Sequence, residues 1–148
     1  MKPQALTLEQ LIALQPQIPD SLSKLDKAAS QSIGLNLAHL IKLRASQING
    51  CAFCINMHCV EARKDGEQQT RLDLLSAWRH AACYSDAEKT ALLWTEILTR
   101  VDHSKTESAF IELSQHFNEQ QIVDLTGLIT VINSWNRIVA GMGLEPEV

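Results

Sequence analysis

The sequence predicts an all-α protein, and three observations support this fold class. Proline occurs only at positions 3, 16, 19 and 146, so most of the chain lacks the residue that breaks helices. The chain has only six glycines, and no strong run of alternating β-branched residues indicates strands. Apolar residues instead recur at helical spacing near the C-terminus, at Ile122, Leu125, Ile129, Ile132 and Val139.

The length and composition are those of one globular domain. A chain of 148 residues is long enough to build a core without disulfide staples. Hydrophobic residues make up 45% of it and charged residues 20%, an ordinary balance for a globular protein. We therefore expect a single domain over residues 1–148.

The predicted helices follow one another with short connections. Ser21 and Asp86 belong to the residue types preferred at helix N-caps. Gly34, Gly50 and Gly66 fall where helices should stop, as glycine is preferred just past a helix end. The result is seven to eight helices, with approximate ranges 7–14, 21–32, 37–48, 52–64, 68–82, 86–100, 105–116 and 119–141.

Charge and hydropathy restrict the possible partners. The formal net charge is −4 and no long basic run occurs, which argues against binding to nucleic acid or to an anionic membrane. The N-terminus has no apolar stretch typical of a signal peptide. No window approaches the ~18 apolar residues of a membrane-spanning helix. We therefore expect a cytoplasmic protein.

The four cysteines are interpreted in that reducing setting, where thiols serve more often as redox groups or metal ligands than as structural disulfides. Cys51 and Cys54 form a CxxC pair. Cys59 and Cys83 match no second pair, so a four-cysteine zinc site is not indicated. We expect Cys59 and Cys83 to be buried and inert.

The CxxC segment carries the strongest chemical signal. If a helix begins after Gly50, both cysteines lie near its first turn, where free amides and the helix dipole stabilise a thiolate. His58 follows Cys54 by four residues, so its ring can approach that sulfur. We therefore assign Cys54 as the attacking thiol, His58 as its base and Cys51 as the resolving thiol. Oxidation would convert Cys54 to a sulfenic acid, which Cys51 condenses to a disulfide.

A zinc site is the competing interpretation, since Cys51, Cys54, His58 and Cys59 are all possible ligands. On a helical wheel, however, Cys59 projects about 100° away from His58. One helix also cannot surround a tetrahedral ion by itself. The sequence therefore predicts neither a bound metal nor a cofactor.

The segment around the cysteines resembles the AhpD-like, carboxymuconolactone decarboxylase-related proteins. The resemblance rests on the run LRASQINGCAFC over residues 43–54, followed by His58. It continues to the run INSWNR over residues 132–137 and covers roughly residues 34–142. It implies a compact all-α fold that assembles as a homotrimer or homohexamer. We expect that one small domain does not fully bury the apolar C-terminal segment containing Trp135, which also favours an oligomer.

The resemblance also implies alkylhydroperoxidase activity. In that activity Cys54 is the peroxidatic cysteine, Cys51 the resolving cysteine and His58 the proton relay. The partners are then a peroxide, or another small-molecule substrate, and a thiol electron donor. The decarboxylase members of the wider group lack the CxxC pair, so their activity is not carried over.

One position departs from the family pattern. The pattern places a relay glutamate twelve residues before the first cysteine, and this chain has His39 there. We therefore expect a weakened relay and slower peroxide turnover. His39 lies on a predicted helix that is apolar on two sides, so it could be a core histidine. Because it occupies the relay position, we favour a functional role.

Two other functions remain open from the sequence. The CxxC pair could serve a thiol–disulfide oxidoreductase that acts on a protein or small thiol partner. It could also report oxidation in a non-catalytic, oligomeric sensor or binding protein.

Overall fold

The computed structural model describes residues 6–148, and over these residues it contains helices and turns but no strand. The predicted all-α fold is confirmed. Two short 3-10 helices span Leu75–His80 and His103–Lys105. The eight α-helices are α1 (Leu8–Leu14), α2 (Gln17–Ile33), α3 (Leu35–Asn49), α4 (Ala52–Lys64), α5 (Gln69–Asp73), α6 (Asp86–Arg100), α7 (Thr106–Leu113) and α8 (Glu119–Met142).

Helix α3 lies at the centre of the fold and packs against α2, α4, α6 and α8. Its apolar side chains face two directions. Ile41 packs into a cluster with residues of α6, α7 and α8, whereas Leu40 and Leu43 pack into a second cluster around Leu75 and Trp78. A helix that is apolar on two sides needs partners on both, which is the central position expected for this segment.

The start of α2 differs from the prediction. Ser21 is not an N-cap, because the helix already begins at Gln17, directly after Pro16. Pro19 lies in the first turn, where backbone N–H groups have no intrahelical acceptor, so its missing N–H costs nothing there. The predicted range for this helix, 21–32, therefore begins too late, since the first turn is the part of a helix that tolerates proline.

The predicted range 86–100 of α6 is confirmed, but its N-cap lies one residue before the predicted one. Ser85, rather than Asp86, is the N-cap, and its side chain accepts a hydrogen bond from the Glu88 backbone N–H. The Glu88 side chain in turn accepts from the Ser85 N–H, which completes a capping box.

The predicted helix over 68–82 is two separate elements. Helix α5 ends at Asp73, and the 3-10 segment that follows contains a non-helical residue, Ala77. In a continuous α-helix the Arg71 carbonyl would accept from the backbone four residues later, but here it accepts from the Tyr84 hydroxyl. This tertiary bond replaces a helical one, and no local pattern in the sequence signals it.

No helix within residues 6–148 has the combination of length and apolar content needed to cross a bilayer.

Candidate active site

The CxxC segment begins at a sharp turn between α3 and α4. Gly50 adopts a left-handed conformation with φ 66° and ψ 30°. Its N–H donates to the Gln47 carbonyl, and the Cys51 N–H donates to the Ser46 carbonyl. These two bonds form a Schellman motif, which closes α3 and directs the chain into α4. Gly50 therefore fixes where Cys51 lies relative to α3.

Cys51 and Cys54 are joined by a disulfide, with their Cα atoms 5.3 Å apart. Cys51 is the N-cap of α4, and its sulfur accepts a hydrogen bond from the Cys54 N–H at 3.3 Å. Both residues are buried, with Cys51 8% and Cys54 1% exposed. The predicted disulfide is therefore present, and it lies at a helix start where free amides favour negative charge on sulfur.

Cys54 and His58 both line a cavity of about 820 Å³. The cavity lies between α4 and α8 on one side and α1 and α2 on the other, and most of its wall is apolar. Its apolar lining includes Ile12, Leu35, Phe53, Met57, Val131 and Trp135. A pocket of this size and polarity suits an organic molecule considerably larger than hydrogen peroxide.

His39 also lies at this site, as a buried residue on α3. Its Nε2 is 2.6 Å from Oδ2 of Asp65, which lies just past the end of α4. An ionised carboxylate only accepts, so Nε2 carries a proton, and in the neutral imidazole Nδ1 then has the lone pair. Among the described residues, Nδ1 of His39 has no hydrogen-bond partner. His39 is thus buried, and within the described part of the chain only one of its two ring nitrogens has a hydrogen-bond partner.

Glu61 supplies a carboxylate that the sequence analysis missed. It lies one turn after His58 on α4, and its Oε2 is 3.3 Å from Nδ1 of His58. The contact with His58 outweighs partial burial and holds the pKa of Glu61 below its ordinary value, with further help from the charge of Lys42. The i, i+3 spacing of His58 and Glu61 could have indicated this contact from the sequence.

Lys42 and Asp26 form a further pair of charges at the site. The Lys42 ammonium lies 2.6 Å from Oδ2 of Asp26, so an ion pair between α3 and α2 forms part of the cavity wall. Lys42 is buried despite its charge, which requires such a partner. No motif in the sequence identified either residue.

A chain of side-chain amides holds the end of α3 to α8. Asn136, which is buried, accepts from the Asn49 amide at 2.9 Å and donates to the Ser46 hydroxyl at 3.0 Å. Asn133 accepts from the same Asn49 amide. The run over residues 132–137 therefore has a structural role, since it holds the segment that precedes Cys51.

The structure brings the four predicted site residues, Cys51, Cys54, His58 and His39, into one region between α3 and α4. The remaining cysteines differ from expectation, because Cys59 and Cys83 are only partly buried. Each packs at the edge of the cluster around Leu75 and Trp78 instead of inside it. Burial raises the pKa of Cys59 above its ordinary value, an effect that nearby Arg63 reduces.

The fold and the site together define an all-α protein with a CxxC disulfide at the start of α4. The chain belongs to the carboxymuconolactone decarboxylase family, whose model matches residues 16–96. Within that family its fold is of the AhpD-like type.

Two relatives support this assignment. An uncharacterised protein of Bacillus subtilis (strain 168), YdfG, is 44% identical over 113 residues, which span 76% of this chain and 77% of YdfG. A crystal structure of an Agrobacterium tumefaciens protein of unknown function, with a suggested role as the antioxidant defence protein AhpD, superposes with a TM-score of 0.84. It is 38% identical, and the match covers 93% of this chain and 96% of that one.

A more distant structure shows the same fold. An uncharacterised peroxidase-related protein from Silicibacter sp. TM1040 superposes with a TM-score of 0.77 at 19% identity. The match covers 87% of this chain and 70% of that one.

Proposed function

We propose that the protein is a thiol-dependent alkyl hydroperoxide reductase in which Cys54 attacks the peroxide and Cys51 resolves the product. The observation that carries the proposal is the Cys51–Cys54 disulfide beside an apolar cavity that Cys54 and His58 line. The suggested antioxidant role of the Agrobacterium tumefaciens relative agrees with it. The proposal places the protein in the cytoplasm, where reductants that recycle a disulfide are available.

The proposed cycle has three steps. The Cys54 thiol gives its proton to His58, and the thiolate attacks one peroxide oxygen while the O–O bond breaks. The alkoxide takes the proton from His58 and leaves as an alcohol, and Cys54 becomes a sulfenic acid. The Cys51 thiol then attacks the Cys54 sulfur, the S–O bond breaks, and hydroxide leaves with the Cys51 proton as water. A dithiol donor reduces the disulfide and is itself oxidised to a disulfide.

Glu61 takes the place of the missing relay glutamate in this proposal. When His58 accepts the thiol proton it becomes a cation, and a carboxylate at 3.3 Å stabilises that cation. The lowered pKa of Glu61 keeps this carboxylate ionised at neutral pH. His39, packed nearby and held by Asp65, orients this group of side chains without supplying a negative charge.

The cavity and the burial of Cys54 favour a small organic hydroperoxide over a protein substrate. A side chain that is 1% exposed offers little surface to a folded partner, whereas a small molecule can enter the cavity. The same burial speaks against a general thiol–disulfide oxidoreductase acting on proteins. A non-catalytic sensor would not need a cavity beside the reactive sulfur.

The direct test is the rate at which cumene hydroperoxide and hydrogen peroxide oxidise the thiols, measured by stopped flow. Steady-state peroxide turnover is then measured with a dithiol as the reductant. We expect Cys54→Ser to lose peroxide consumption, and Cys51→Ser to be oxidised once without forming the Cys51–Cys54 disulfide. Cys59→Ser is the matched control, because it removes a thiol outside the cavity, and it should behave as wild type.

Two results would contradict the proposal. Peroxide consumption that survives Cys54→Ser would exclude Cys54 as the attacking thiol. A slow reaction with every peroxide, combined with fast reduction of a small test disulfide, would favour the thiol–disulfide oxidoreductase.

A further inference from the structure

His39, His58 and Glu61 form a second constellation that the thiol cycle does not explain. One ligand atom from each of the three side chains lies within 4.8 Å of the other two. Two imidazoles and one carboxylate are the donor set of zinc sites that keep a fourth position open. The set contains no cysteine, so it differs from the thiolate site considered from the sequence.

The two histidines have the unpaired nitrogens that a metal would use. Each is only 6% exposed. Among residues 6–148, Nδ1 of His39 and Nδ1 of His58 are buried and have no hydrogen-bond partner. A buried polar atom without a partner destabilises the fold, so two of them at one site need a reason. A cation between them would satisfy both lone pairs.

The spacing of His58 and Glu61 matches shared coordination. Nδ1 of His58 and Oε2 of Glu61 are 3.3 Å apart. The contact does not have the geometry of a hydrogen bond, since Nδ1 remains without a hydrogen-bond partner among the described residues. Two ligand atoms bound tetrahedrally to one zinc, each at about 2.1 Å, are about 3.4 Å apart. The observed distance is therefore the one that a common ion would produce.

Asp65 binds His39 in the way that a carboxylate commonly binds the second ring nitrogen of a metal-binding histidine. Its carboxylate accepts from Nε2 of His39 at 2.6 Å, which fixes the ring and leaves Nδ1 free to coordinate. The positive charge of Lys42 acts on Glu61, and Asp26 neutralises it at 2.6 Å. Asp65 and Glu61 therefore leave the surroundings net negative.

We propose that His39, His58 and Glu61 bind one divalent transition-metal ion of the zinc type, with Asp65 orienting His39. The fourth position of the ion opens on the cavity, which His58 and Glu61 line. Metal binding uses the His58 lone pair, so in the proposed thiol cycle the bound ion would block the proton transfer from Cys54. This last consequence rests on the proposed function, whereas the site itself does not.

The test is calorimetric titration of the disulfide form with ZnCl₂, because there Cys51 and Cys54 cannot coordinate. A Cys59→Ser/Cys83→Ser background removes the other thiols. We expect one equivalent to bind. His39→Gln and Glu61→Gln should each weaken binding at least tenfold, and Asp65→Asn about 10–100-fold. His116→Gln is the matched control, since His116 is exposed and remote, and it should change nothing.

Two further measurements, the visible spectrum of bound Co²⁺ and thermal unfolding, test the site even if a variant folds poorly. Co²⁺ bound to the background protein should give a visible spectrum with nitrogen and oxygen ligands and no thiolate charge-transfer band. Zn²⁺ should raise Tm in the background protein and not in His39→Gln. Binding that is absent at micromolar Zn²⁺, or unchanged in His39→Gln, would overturn the proposal. None of these readouts uses peroxide, so the thiol cycle and the metal site can fail independently.

Discussion

At the level of single residues, the carboxylate that faces His58 comes from Glu61 on its own helix, while a second imidazole fills position 39. In this arrangement His58 meets a negative charge at 3.3 Å, and position 39 supplies no carboxylate. The proton relay therefore depends on a side chain that is about half-exposed, and solvent weakens such an interaction. This is a physical reason for slower turnover than a buried glutamate would give.

We predict that Glu61→Gln slows peroxide-dependent oxidation of Cys54 about tenfold near neutral pH. General-base catalysis is worth ~10²–10⁴-fold in all, and the variant keeps His58 but removes the charge that stabilises its protonated form. The measurement is stopped-flow oxidation across a pH series. Glu112→Gln, an exposed glutamate on α7, is the control and should leave the rate unchanged. An equal rate in Glu61→Gln and wild type would remove Glu61 from the relay.

At the level of elements, the turn at Gly50 connects the central helix to the CxxC segment. Its positive φ is a conformation that residues with a Cβ adopt only with strain. Within the described chain, a Cβ added at Gly50 or at Gly141 would meet no atom within 4 Å. The two glycines therefore differ in backbone conformation and not in available space, since Gly141 lies inside α8.

We predict that Gly50→Ala lowers the free energy of unfolding by about 1 kcal/mol, because only the left-handed conformation opposes the new methyl group. Gly141→Ala should instead be neutral or raise it by up to about 1 kcal/mol, since alanine favours a helix. Urea unfolding of both variants provides the comparison. A loss of the same size in both would mean that crowding, and not φ, determines the effect.

Helix periodicity and glycine positions were enough to predict the fold class and most helix bounds. The features that the sequence did not predict depend on contacts between residues that are distant in the sequence. The break after α5 depends on the Tyr84 hydroxyl bonding to the Arg71 carbonyl, a contact between residues thirteen positions apart. The CxxC pair and His58 were found because they are close in sequence, whereas Asp65 reaches His39 across 26 residues. The i, i+3 spacing of His58 and Glu61 could have predicted the Glu61 contact, but it was overlooked.

For the molecule as a whole, several apolar side chains of α1, α2 and the start of α3 remain exposed. They are Ile12, Leu14, Ile18, Leu25 and Leu35. Trp135, which we expected to be incompletely buried, lines the cavity and is half-buried. Exposed apolar side chains on consecutive helices favour association with further copies of the chain.

We predict a homotrimer or homohexamer. Light scattering coupled to size exclusion should give three or six times the 16.5 kDa chain mass at micromolar concentration. Leu14→Glu, which places a charge on the exposed apolar surface, should reduce that mass, and Glu112→Gln should not. A monomer in wild type would contradict the prediction.

A buried carboxylate joins elements that are distant in sequence. Glu96 on α6 is 2% exposed. Its oxygens accept hydrogen bonds from Arg44 of α3 at 2.9 Å, and from Trp78 and Arg79 of the 3-10 segment at 2.8 and 2.6 Å. Burial alone would raise the pKa of Glu96, but these hydrogen bonds outweigh it and lower the pKa to about 2.

The last prediction concerns acid stability. Because the pKa of Glu96 is lower in the folded chain than its ordinary value of 4.5, its ionised form stabilises the fold above about pH 4.5. That stabilisation, about 3 kcal/mol, decreases as the pH falls from about 4.5 towards about 2. Glu96→Gln should therefore lower the free energy of unfolding by about 3 kcal/mol at pH 7, since it leaves Arg44 without its charged partner.

The difference between wild type and Glu96→Gln should shrink steadily below about pH 4.5, which urea unfolding at several pH values measures. Glu112→Gln is again the control, and an exposed substitution of this kind should stay within about 0.5 kcal/mol at every pH. Other carboxylates also titrate in this range, so only the difference between wild type and Glu96→Gln reports on Glu96. A difference that is constant from pH 7 to pH 3 would mean that Glu96 contributes by packing and not by charge.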